Sequence, residues 1–173
     1  MSDERYDLLA RTLVEFSVDL QSGERVLVNN IDVPDDMTIA LLRAIRDRGG
    51  VPILSLQSNK ISLIQSKIFE EETFNSICEI KLDEMKKMDA FIAIRCENNA
   101  FYHSDIPQSQ RIMIDRVMRP LQDWRVQKTK WVILRWPSDG LAQQAKMSTD
   151  SFEDFFSAFA PWITQKWVPE WPF

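Results

Sequence analysis

The chain has 173 residues, 45% hydrophobic and 27% charged, enough for one globular domain with a core that needs no covalent staples. Its 21 basic residues against 26 acidic ones give a net charge of −5, which argues against a duplex nucleic-acid binder, and no apolar run approaches a bilayer-spanning length. A single histidine, His103, excludes a multi-histidine zinc site within this chain, and two cysteines outside any CxxC pair, Cys78 and Cys96, fit a reduced cytoplasmic setting. The opening Met-Ser-Asp-Glu-Arg is acidic and polar, without the apolar run of a signal peptide.

Residues 4–20 read as one amphipathic helix, with Leu8, Leu9, Leu13, Phe16 and Leu20 at helical spacing. Gly23 is a plausible stop for it, and residues 25–30 form a short apolar run that predicts a buried strand. Pro34-Asp35-Asp36 opens a second helix, with acids at its positive end, which stops at Gly49-Gly50. Residues 51–56 predict the next strand, and 59–70 with 71–88 a broken helical stretch. A third strand is expected over 89–95. A helix from Pro107 is expected to kink or end at Pro120. A fourth strand over 130–136 and a short helix over 138–147 follow, and Ser148 or Thr149 caps a last helix. Strands alternating with helices predict an α/β fold: a mostly parallel sheet of about four or more strands with helices on both faces.

The chemistry-bearing devices are few. There is no GxGxxG, Walker loop or GxSxG elbow, and the chain holds only four glycines. Cys78 falls on an apolar helix face with Phe74 and Ile77, which reads as a buried thiol. Cys96 ends a strand, where open α/β sheets place ligands, so a structural and a site role are both open. His103, beside Tyr102 and Asp105, reads as a loop histidine with no nucleophile near it in sequence. The pairs Asp35-Asp36 and Glu71-Glu72 sit at helix starts, where carboxylates stabilise the dipole. The most site-like stretch is Arg95-Cys96-Glu97-Asn98-Asn99. Arg95, Glu97, Asn98 and Arg135 are therefore candidates to line one crevice, with Arg135-Trp136-Pro137-Ser138 entering from the neighbouring strand, against the plainer reading of a solvated loop. No catalytic, cofactor-binding or metal-ligating residue is assigned.

Several stretches together resemble the thermophilic aminopeptidase family, the two-metal exopeptidases of the aminopeptidase T and aminopeptidase S type. Gly23-Glu24-Arg25-Val26-Leu27-Val28 resembles the family's "pGExVLI" strand, and Gly49-Gly50-Val51-Pro52 its "aGaxp" turn. Asp89 through Arg95, followed by Glu97-Asn98, resembles the third strand. Trp131 through Pro137, Ala142-Gln143-Gln144-Ala145, Met147-Ser148 and Phe152-Glu153-Asp154-Phe155 follow the family's "W…yPt…AqxAgMs…fe.F", with Lys146 where a Gly is usual. The resemblance covers the family's N-terminal α/β domain. It implies peptide substrates and a divalent metal pair, zinc or cobalt, held by Glu, His, Tyr and Asp of a C-terminal domain to which nothing here aligns. No metal ligand is carried onto this chain. The role implied is packing against the catalytic domain and contributing to a dimeric assembly.

The character of the sequence changes after Phe156: residues 157–173 contain Trp162, Trp167, Trp171, Pro161, Pro169 and Pro172 and show neither period. Back-translated and regrouped by one base, Trp162-Ile163 forces Asp, and the junctions around it permit V-C-T-L-D-Y-A-K-M-G-P, the continuation expected in the resembled family. Residues 1–156 are thus expected to be the N-terminal α/β domain and 157–173 a frameshifted, non-native tail. The functional expectation is a truncated metal-dependent aminopeptidase, inactive alone. The alternatives are a stand-alone dimerisation or interaction module, self-associating or binding a homologue, and a small-molecule binding domain using the strand-end crevice.

Overall fold

A computed structural model describes residues 4–99 and 101–165, with side chains described through residue 158. Four strands, β1 (Arg25–Ile31), β2 (Val51–Gln57), β3 (Ala90–Arg95) and β4 (Lys130–Arg135), form one sheet in the order β2-β1-β3-β4. All three pairings are parallel. The central strands β1 and β3 are buried along nearly their whole length: β3 is an unbroken run of Ala, Phe and Ile up to Arg95, and β1 sets Asn29 and Asn30 after Val, Leu and Val. The edge strands β2 and β4 alternate between half-buried and exposed.

Among the described residues seven α-helices connect and cover the strands: α1 (Glu4–Arg11), α2 (Asp35–Asp47), α3 (Asn59–Ile68), α4 (Glu71–Met85), α5 (Gln108–Lys128), α6 (Asp139–Gln144) and α7 (Thr149–Gln165). The chain steps from β1 outward to β2, then back across to β3 and on to β4, so right-handed crossovers put helices on both faces. One face packs Ala10, Leu13, Val14 and Val18 with Met37, Leu41 and Ile45 of α2 over Val26, Val28, Ile92 and Ile94. The other packs Met85 and Met88 over Leu27, Phe91 and Ala93, and a satellite cluster of Phe74, Cys78 and Val117 joins α4 to α5.

The glycine stops work as expected. Gly49 has φ +77, and the amides of Gly49 and Gly50 return to the carbonyls of Arg46 and Ile45 at 2.8 and 3.0 Å, a Schellman ending for α2. Gly50 then passes so close to the core that a Cβ there would lie 2.6 Å from Leu20 Cδ2.

One expectation needs correction. Residues 4–20 are not one α-helix: after α1 the chain widens into a π-helical segment, Thr12–Ser17. The wider turn keeps Leu13, Val14 and Val18 in the core and leaves Phe16 62% exposed. Pro120 does not end its helix, since α5 continues to Lys128. Pro120 is exposed, so the Arg116 carbonyl it leaves unbonded is not sealed in the core. The aperiodic stretch after Phe156 is helical through Gln165 as the end of α7. The remainder of the expected tail, 166–173, lies outside the described residues.

Candidate functional site

The strand order reverses direction between β1 and β3, and open parallel sheets bind ligands outside the carboxyl ends of the strands at such a point. Three segments meet there: Ile31-Asp32 after β1, Cys96-Glu97-Asn98 after β3, and Trp136-Pro137-Ser138 after β4.

These segments are latched to one another. The Cys96 amide donates to Ile31 O at 3.0 Å and the Trp136 amide to Arg95 O at 2.9 Å, extending the ladder past the strands. Asp32, at φ +51, accepts the Asn59 amide at 2.9 Å on Oδ2, and Asn59 Nδ2 donates to Cys96 O at 2.8 Å. Ser138 accepts from Leu141 N at 3.4 Å to cap α6, while its hydroxyl donates to Glu97 O at 2.6 Å. Gly140 follows because nothing larger fits: a Cβ would stand 2.6 Å from Glu97 O and 2.9 Å from the Asn98 carbonyl carbon. The start of α6 is therefore pressed directly on the loop after β3.

Of the four residues expected in the crevice, Arg95, Glu97 and Arg135 act on one another electrostatically. Glu97 pairs with Arg135 Nη1 at 3.2 Å. Asn98 Oδ1 accepts from the Cys96 thiol at 3.5 Å. Arg95 ends β3 on the same sheet face as Phe91 and Ala93, beneath α5, and its register partner on β4 is Arg135. Burial holds the Arg95 guanidinium below its ordinary range; Glu97 pulls it up and Arg135 pushes it down.

Cys96 is 6% exposed, and burial raises its thiol pKa, reinforced by Asp32, Asp139 and Glu97. All four influences disfavour the thiolate, so this is not an activated nucleophile. Asp32, Asn59 and Gly140, which complete the latch, had no signal in periodicity or motif. Their partners are distant in sequence and largely backbone.

The remaining candidates stay apart. Cys78 is buried between α4 and α5. His103 packs edge-on against Tyr102 at 5.8 Å in an exposed loop, while Asp105 pairs with Lys67 at 3.7 Å. Glu71 holds Arg116 at 2.6 Å. Among the described residues no three His, Cys, Asp or Glu side chains come together to hold a metal ion.

The topology and its latched switch point define a doubly wound α/β domain whose carboxyl-end crevice is closed by its own loops. The sequence profile of the family described as "Thermophilic metalloprotease (M29)" matches residues 2–172, and the chain belongs to that family. Among solved structures, wild-type AmpT from Thermus thermophilus superposes with a TM-score of 0.69 at 12% identity, covering 91% of this chain and 42% of AmpT. The chain thus spans less than half the length of that structure, and at this identity the likeness shows the fold alone. A putative transcription regulation repressor of the LacI family from Corynebacterium glutamicum superposes at a TM-score of only 0.33, with 11% identity over 76% of this chain and 60% of its own, and carries no argument. No curated protein matches the sequence significantly. No helix among the described residues is long and apolar enough to cross a membrane.

Proposed function

We propose that this chain is the N-terminal α/β part of a metal-dependent aminopeptidase, a domain that packs and assembles rather than one that performs the hydrolysis. The observation that carries this reading is the match of 91% of the chain to 42% of AmpT, combined with the family membership. The lineage's reaction would be removal of N-terminal residues from peptides by a water activated between two divalent metals. The described residues offer no donor cluster for that metal pair. The domain's contribution is its packing faces, used in a homo-oligomer or in association with a homologue. Free cysteines fit a cytoplasmic setting.

The test is an assay of the purified chain on aminoacyl-p-nitroanilides with added zinc or cobalt. The expected result is no turnover above the blank. Turnover that co-purifies with the chain and disappears with chelator would overturn the reading. The proposal includes the frameshifted origin of 157–173. Sequencing the locus past the codon for Asp154 tests that part: a continuing frame one base away supports it, and its absence makes the tail native.

A further inference from the structure

Three polar side chains interrupt the sheet face covered by α4 and α5. Asn29 of β1 and Ser55 and Gln57 of β2 occupy positions where a parallel sheet beneath two helices ordinarily carries apolar residues. Asn29 Nδ2 and Gln57 Nε2 both donate to Ser55 Oγ, each at 3.2 Å. The serine oxygen thus accepts two hydrogen bonds, and its own O–H has no acceptor among the described residues. Above this polar floor lies a cavity of about 230 Å³, the liquid volume of roughly eight waters.

The walls are mixed in a particular way. Met85, Met118 and Leu121 make one side apolar. Arg125 of α5 enters from another, its guanidinium stacked on the Phe91 ring at 5.1 Å. Its side chain has no ion pair or hydrogen bond among the described residues, and its Nε is buried without an acceptor. Glu84 and Asp115 also line the cavity, and neither is ion-paired to Arg125. Two cations, Lys81 and Arg125, and two carboxylates, Glu84 and Asp115, line one polar space with no ion pair among them, which suits a guest that carries both charges.

We propose that this cavity is a binding site for a small zwitterion of the free α-amino acid class. Its carboxylate would lie toward Arg125, its ammonium toward Glu84 and Asp115, and its aliphatic side chain against Met85 and Met118. The Ser55 hydroxyl donates to a carboxylate oxygen. Burial and the neighbouring Arg95 both hold the Arg125 guanidinium below its ordinary range, strain that an anionic group at this position relieves. This site lies on the α4–α5 face of the sheet and does not depend on the proposed peptidase lineage.

The experiment is a ¹⁵N–¹H NMR titration of the full chain with L-leucine, 4-methylpentanoate and isopentylamine. The last two each lack one of leucine's charged ends. The expected result is saturable shifts from L-leucine around the cavity, including the Arg125 Nε–H resonance, with both analogues at least about tenfold weaker. Ser55→Ala and Arg125→Gln should each weaken leucine binding by a similar factor. If Arg125→Gln fails to fold, Ser55→Ala and the analogue pair still decide the matter. No saturable shift at tens of millimolar leucine, equal binding of 4-methylpentanoate, or unchanged affinity in Ser55→Ala would overturn the assignment.

Discussion

Gly140 shows how a single hydrogen atom sets the closed geometry of the strand ends. A methyl group there meets the backbone of Glu97 and Asn98 at 2.6–2.9 Å, and backbone cannot swing aside as a flexible side chain can. Gly140→Ala is expected to cost about 1–3 kcal/mol through overpacking, read as a lower urea midpoint with unchanged slope. Cys96 makes a second prediction. Its folded pKa is raised, so its contribution to stability is complete below the ordinary thiol value of about 8.5. As pH rises above that value the unfolded chain loses its thiol proton first, and stability falls. Urea melts across the alkaline range should show a decline that Cys96→Ala lessens; an identical decline in the variant would remove the cause from Cys96. The sequence located Arg95, Cys96, Glu97 and Asn98 at a strand end because a buried apolar run is a local signal. It did not show that Arg95 stands beside Arg135 and that Glu97 pairs with Arg135, because side-chain placement at a strand end follows a register set by partners dozens of residues away.

Elements were legible wherever burial imposed a clean period. β1 and β3 are read almost to the residue, since strands buried on both faces show up as continuous apolar runs. The π-helical segment was not legible, because shifting the helical face by one residue leaves a pattern that still resembles a 3.6-residue period. Of the two outcomes expected at Pro120, α5 does not end there: proline's cost is real, but the helix packs against α4 through Val117 and Leu121 on either side of it. Pro120→Ala therefore restores the missing amide in a helix already held in place. An interior proline costs roughly 3 kcal/mol, and its rigidity removes about 0.4–1 kcal/mol of unfolded-state freedom, so the expected net gain is about 2 kcal/mol. A calorimetric melt should show a higher Tm for the variant. An equal or lower Tm would mean that the helix bends at this point and that its packing requires the bend.

At the scale of the whole molecule, the sheet ends in two open edges, and both carry apolar side chains toward solvent. On β2, Val51, Leu54 and Leu56 are 48%, 45% and 60% exposed, and on β4, Trp131 and Ile133 are 36% and 37% exposed. Unpaired backbone groups beside exposed aliphatic side chains form a template for further pairing, which is why lone domains usually blunt such edges with charge or proline. Pro52 removes one donor from β2, but Leu54 and Leu56 follow without a charged residue between them. The double substitution Leu54→Lys, Leu56→Lys places two charges on solvent-facing sites, so it should change stability little, within about 0.5 kcal/mol per site. Sedimentation of the parent chain should show concentration-dependent association, and the double variant should remain monomeric over the same range. If both sediment as monomers, the packing role proposed for the domain does not use β2. If both associate equally, the contact lies on β4 or on the helical faces.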